Sequence, residues 1–164
     1  MEQLNNPFVM YGYNGAEYYQ WLKDNTAIRE DKGTGWFSVS TPFVGLFNDN
    51  IEIFVKKESD TKILLSDDGE TIEYLFLSGV DVLRSQKRKD YMQKVANNFG
   101  IKITSEGEIV TESNGADFAR KMNNLCLLYR QYRICQGFQM INNRGAVHSI
   151  APFFVSEVCA HIAF

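Results

Sequence analysis

The sequence predicts an α+β fold: a single domain with a small, mostly antiparallel sheet built from hairpins and packed by about four to five helices. Three observations carry this. Extended runs with alternating apolar residues come in hairpin-like pairs, not singly between helices. Helical runs with apolar residues at i, i+3 and i+4 fall between and after those pairs. The chain has 164 residues, enough for one domain with its own core and short for two.

Residues 1–13 carry Phe8, Tyr11 and Tyr13 without a period and are expected to lie as an arm across the domain. Asn14 can cap a helix over Gly15–Asn25, whose Tyr18, Trp21 and Leu22 share one face. "AIREDKGTGWFSVST" reads as a hairpin turning at Lys32-Gly33-Thr34-Gly35, with Phe37 and Val39 alternating with Ser38 and Ser40. Pro42 cannot donate to a ladder, so the strand is expected to end there or to run along an edge. After a turn at Asn48-Asp49-Asn50, "IEIFVKK" points Ile51, Ile53 and Val55 one way and Glu52, Phe54 and Lys56 the other. "SDTK" turns the chain, and "ILL" returns as a short buried strand.

In "LLSDDGETIEYLFLSG" a helix from about Gly69 places Ile72, Leu75, Phe76 and Gly79 on one face. Asp67 or Asp68 at its start can accept from unpaired backbone N–H groups. A helix over Arg84–Asn98 buries Tyr91, Met92, Val95, Ala96 and Phe99 and stops at Gly100. "IKITSEGEIVTE" is a second hairpin, turning at Ser105-Glu106-Gly107. A long helix over Ala116–Arg133 carries the stripe Phe118, Met122, Leu125, Tyr129 and Tyr132. "ICQGFQMINNRGAVHS" has no period and reads as loop or weak strand. A last helix starts near Pro152, and its apolar end predicts packing on the domain or on a second copy of the chain as a homodimer. Residues 1–134 thus form the domain and 135–164 a C-terminal extension.

Hydrophobic residues make up 45% and charged residues 23% of the chain, which excludes a disordered protein. Aromatic residues reach 13%, more than a core of this size needs, so some rings are expected at a binding surface. A net charge of −3 excludes a generic polyanion binder. The charge is nonetheless segregated: residues 48–81 hold nine acids against three lysines, and residues 84–102 hold six bases against Asp90. Cys126, Cys135 and Cys159 form no CxxC pair, and "MEQLNNPF" has neither the basic nor the apolar region of a leader. No apolar run reaches the roughly 18 residues of a membrane span. The expectation is a cytoplasmic protein with reduced thiols and no membrane partner.

Thr41-Pro42-Phe43, Asp49, the alternating strand through Val55, Ser66-Asp67-Asp68-Gly69, Leu75, Gly79, Arg88, Phe99-Gly100 and Glu108-Ile109 together resemble a bacterial and phage family. It is the domain-of-unknown-function family numbered 1828, and the resemblance covers about residues 15 to 133. In many relatives a second domain follows, and "FFVSEVCAHIAF" is similar to the beginning of that continuation. The resemblance implies no established activity. It implies a setting in phages, prophages and other mobile elements, where host and invader conflict.

Several constellations are candidates for chemistry. A restriction-type nuclease holds Mg²⁺ with an Asp and an acid–x–Lys pair. Asp49 with Asp60 and Lys62 has that spacing, although Asp60 and Lys62 fall in an expected turn. Asp67 and Asp68 are read as a helix cap, with the second acid left for a cation or a partner's arginine. Arg84, Lys87, Arg88 and Lys89 can sit on phosphates, with Tyr91 available for stacking. Cys135, His148, Cys159 and His161 match no zinc spacing, no G-x-S-x-G or G-x-x-x-x-G-K occurs, and Gly33-Thr34-Gly35 reads as a turn; no metal or cofactor is expected. The expected function is that of a non-enzymatic interaction protein of the mobile-element type. It would bind a protein or nucleoprotein partner through Asp49, Asp67, Asp68, Arg84, Lys87, Arg88, Lys89 and Tyr91, as an inhibitor of a bacterial defence nuclease. The alternatives are a Mg-dependent nucleic-acid-cleaving enzyme using Asp49, Asp60 and Lys62, and a DNA-binding regulator.

Overall fold

Alternation along the middle strands sets the sheet. Ile51 and Ile53 are buried and Val55 packs against the same core, while Glu52, Phe54 and Lys56 project from the other side. The computed structural model describes residues 15–45 and 48–143, with side chains as far as residue 132. Helix α1 (Gly15–Asp24) leads into β1 (Ala27–Asp31), β2 (Trp36–Val44), β3 (Asn50–Ser59) and β4 (Lys62–Ser66). Helices α2 (Glu70–Leu77) and α3 (Gln86–Asn97) follow, then β5 (Lys102–Ile103), β6 (Ile109–Ser113) and α4 (Phe118–Asn143). The strands form one six-stranded sheet in the order β1-β2-β3-β4-β6-β5, every neighbouring pair antiparallel. This is an α+β domain with four helices among the described residues.

One sheet face carries the helices. Ile53, Leu65 and Ile109 from the strands meet Ile72 and Leu75 of α2, Met92 and Ala96 of α3, and Leu125, Leu128, Tyr129 and Tyr132 of α4. Each fully buried Leu or Ile contributes about 1.5–3 kcal/mol. Polar ties fix the helices against one another. The Tyr132 hydroxyl donates to the Met92 carbonyl at 2.9 Å, and the Asn124 amide donates to the Phe99 carbonyl at 2.9 Å.

The structure refines three expectations. Strand β2 runs through Pro42 to Val44, past the end of its pairing with β1, so of the two expected outcomes the proline lies along an edge. The proline is tolerated because β1 pairs no further than Ser40, and the β2–β3 register shifts between Ser40 and Val44, so no ladder needs its missing N–H. Helix α4 continues to Asn143, through residues read as loop and across the expected boundary at 134. No proline interrupts that stretch, and its one glycine, Gly137, costs a helix only about 1 kcal/mol. Helix α1 buries no residue; Tyr18 and Trp21 stack on each other, with centroids 6.4 Å apart, and stay about half exposed. Among the described residues, no helix is long and apolar enough to cross a membrane. The N-terminal arm, the Asn14 cap, the helix near Pro152 with its homodimer surface, and the side chains of Cys135, His148, Cys159 and His161 lie outside the described residues.

Candidate functional site: two acid-lined concavities beside Asp67

Strand β4 ends on Ser66 and the chain turns sharply into α2. The residue immediately before α2 is Gly69, which has no side chain to cap the helix. Asp67 caps it from further upstream. Its carboxylate accepts N–H bonds from Thr71 (3.0 Å), Gly69 (3.0 Å) and, across the sheet, Ile109 (2.7 Å). Asp67 is 1% exposed, and burial pushes its carboxyl above the usual range against the pull of those three amides. The next residue adopts a left-handed conformation (Asp68, φ 53°), which aspartate tolerates better than most residues. It is held there by its N–H donating to the Ser66 hydroxyl at 2.9 Å. That hydroxyl donates in turn to the Glu108 carboxylate. Asp67 therefore belongs to the fold, while Asp68 and Glu108 are presented by it.

Asp68 and Glu108 rim a cleft of about 400 Å³ on the sheet face away from the helices. Its floor carries Trp36, Ser38, Phe54 and Ser66, and its far wall is Arg29, Glu30 and Asp31 of β1. Ser38, Phe54 and Ser66 are register partners across three strands, so one row of the pleat builds the floor. Four carboxylates and one guanidinium line the cleft. Asp31 is kept below the usual carboxylate range, first by the Thr34 hydroxyl at 2.6 Å and then by the Gly33 N–H. The ammonium of Lys56 lies 5.4 Å from the Trp36 ring centre, so this indole already attracts a cation.

A second, smaller recess of about 30 Å³ opens where β3 begins and α2 starts. Asp49, Glu52, Asp67 and Glu70 line it together with Tyr74 and Tyr129, and no lysine or arginine among the described residues does. Burial raises the Glu70 carboxyl, and the neighbouring charges of Glu52, Asp67, Asp49 and Asp68 raise it further. Tyr129 is 5% exposed, its hydroxyl has no hydrogen-bond partner among the described residues, and burial followed by the charge of Asp67 holds it well above the usual phenol range. Among the described residues, no three His, Cys, Asp or Glu side chains are placed to hold a metal ion.

The structure thus brings Asp49, Asp67 and Asp68 to one end of the sheet, with Asp67 inaccessible to a partner. It does not join Asp49 to Asp60 and Lys62. They lie at opposite ends of the ten-residue strand β3, roughly 33 Å apart at the rise of an extended chain. Asp60 pairs with Lys57 at 2.7 Å, and Lys62 bonds Glu58 and Glu112 at 2.8 and 3.0 Å. On α3 and the turn before it, Arg84 and Lys87 are exposed and Lys89 half-buried. Arg88 is half-buried, donating to the Asp81 carbonyl at 3.0 Å, and Tyr91 packs against the core. Sequence reasoning missed Arg29, Trp36 and Phe54 of the cleft and Glu70, Tyr74 and Tyr129 of the recess as site residues; Glu108 entered only among the residues of the family resemblance. Phe54 gave one signal: a large ring on the polar side of an alternating strand.

An open-faced antiparallel sheet with helices on one side and an acid-rimmed cleft on the other defines a single-sheet α+β domain. The family described as "Domain of unknown function DUF1828" matches residues 41–129, more than half of the chain, and the chain belongs to it. The matched span holds Asp49, the Asp67 turn, Glu108 and Tyr129 and leaves out α1 and β1. No curated protein and no solved structure matches the chain.

Proposed function

We propose that this is a non-enzymatic interaction protein whose cleft takes a basic segment of a protein or nucleoprotein partner. The observation that carries the reading is the cleft itself: aromatic floor, four carboxylates, one guanidinium. A guanidinium or ammonium gains from stacking on Trp36 or Phe54 and from the rim charges. Acids of one sign also speed the encounter with a basic partner. The Ser66 hydroxyl already holds the Glu108 carboxylate and the Asp68 backbone, so Glu108 loses little side-chain freedom on binding. The mobile-element setting implied by the family resemblance makes a bacterial defence nuclease the partner class, inhibited by occlusion.

The test uses Trp21→Phe protein, in which Trp36 is the remaining tryptophan. Titration with an arginine-rich peptide is expected to change Trp36 fluorescence saturably, more weakly as salt rises, and to lose most of its affinity in the Asp68→Asn, Glu108→Gln double variant. A response to an acidic peptide of equal strength, or none to the basic one, rejects the reading. The exposed Arg84 and Lys87 support a second reading, nucleic-acid contact through α3. It requires binding that falls steeply with salt and with Lys87→Glu.

A further inference from the structure

We infer that the recess between Asp49 and Tyr129 receives the guanidinium of one arginine side chain of the partner. The inference rests on the proposed binding of a basic segment and adds a specific anchor to it. Four carboxylates gather there without a cation among the described residues that line it. A buried phenol hydroxyl, which folded proteins almost always pair, belongs to Tyr129 in the lining of the same recess and has no partner among the described residues.

The arrangement selects among cations. A metal ion needs its ligands to converge on one point, and no three acidic side chains among the described residues do so. An ammonium likewise donates from a single nitrogen. A guanidinium spreads five N–H donors over a plane and pairs with carboxylates two bonds at a time. It can therefore serve acids that ring a recess, and its π-face or N–H groups can meet the phenol oxygen of Tyr129. The recess, about 30 Å³, has room for roughly two waters, the scale of one head group with its stem in the opening. Asp67 contributes charge from behind while its oxygens hold the backbone; Asp49, Glu52 and Glu70 make the contacts.

The experiment follows the ζ-carbon NMR signals of ¹³C-tyrosine-labelled protein, with Tyr129 assigned by its loss in Tyr129→Phe. Acetylargininamide is expected to move the Tyr129 signal saturably in the millimolar range, and acetyllysinamide to bind at least fivefold more weakly. Glu52→Gln, a half-buried position that keeps the fold intact, is expected to weaken the arginine response several-fold. No saturable shift, or equal shifts from the two amino-acid amides, overturns the inference, as does a stronger response to Mg²⁺ or Ca²⁺. If the arginine-rich peptide alters Trp36 fluorescence and leaves Tyr129 unmoved, the cleft reading stands and the anchor falls. If neither responds, both fall.

Discussion

Replacing Asp67 with alanine removes the acceptor for three backbone N–H groups, those of Gly69, Thr71 and Ile109. Two of these belong to buried residues, Thr71 at 4% and Ile109 at 0% exposure. A buried donor left unpaired costs about 1–3 kcal/mol, so the two together cost about 2–6 kcal/mol; water can serve Gly69. Releasing a desolvated carboxylate offsets part of this, leaving a net loss of about 2–4 kcal/mol against the typical total stability of about 5–15 kcal/mol. Asp67→Asn keeps one carbonyl oxygen for Ile109 and Gly69 but sets an amide NH₂ against the Thr71 N–H, and costs about 1–2 kcal/mol. Asp68→Asn, at an exposed side chain whose backbone conformation asparagine also tolerates, stays within about 0.5 kcal/mol of the parent. Urea unfolding at neutral pH reads these as shifts in midpoint at constant slope. A stable Asp67→Ala, or an Asp68→Asn as damaging as Asp67→Asn, refutes the assignment of Asp67 to the backbone.

Glu70 titrates above its ordinary 4.5 in the folded state. The folded protein therefore holds that proton where the unfolded chain has lost it, and stability falls as pH rises through that window. Glu70→Gln is expected to raise the melting temperature at pH 7, the gain vanishing below roughly pH 4. Gly107 has φ 95°, and an added Cβ would lie 3.2 Å from Ile72, so Gly107→Ala is expected to lower stability by about 1–3 kcal/mol in the same urea assay. Burial pushes the Cys126 thiol up to about 11. In protein with Cys135 and Cys159 changed to serine, iodoacetamide at pH 8 is expected to label Cys126 only as fast as the protein unfolds.

Much of the fold was legible because it is written in neighbours. The alternation of Ile51, Ile53 and Val55 against Glu52, Phe54 and Lys56 fixed which face of β3 is buried. The stripe from Phe118 to Tyr132 fixed the buried face of α4, and the glycine-marked turns fell between the strands they join. The site was legible only in part. The Asp67 cap could be anticipated from the helix that follows it, but its bond to Ile109, 42 residues away, depends on β6 lying beside β4. Glu108 meets Ser66 through the same pairing, and Tyr129 reaches the acids of β3 and α2 only because α4 packs across them. Local periodicity could not show these convergences. Nor could it show that Asp49 and Asp60, apparently paired by spacing, are held apart by the full length of β3.

That the acids hold backbone and bind cations, and do not cut nucleic acid, is open to direct measurement. Purified protein is incubated with labelled single- and double-stranded DNA and RNA in Mg²⁺ or Mn²⁺, alongside Asp49→Ala. The expected result is no cleavage above buffer for either protein, with peptide binding at Trp36 unchanged by EDTA. Metal-dependent cleavage by the parent that disappears in Asp49→Ala would contradict it.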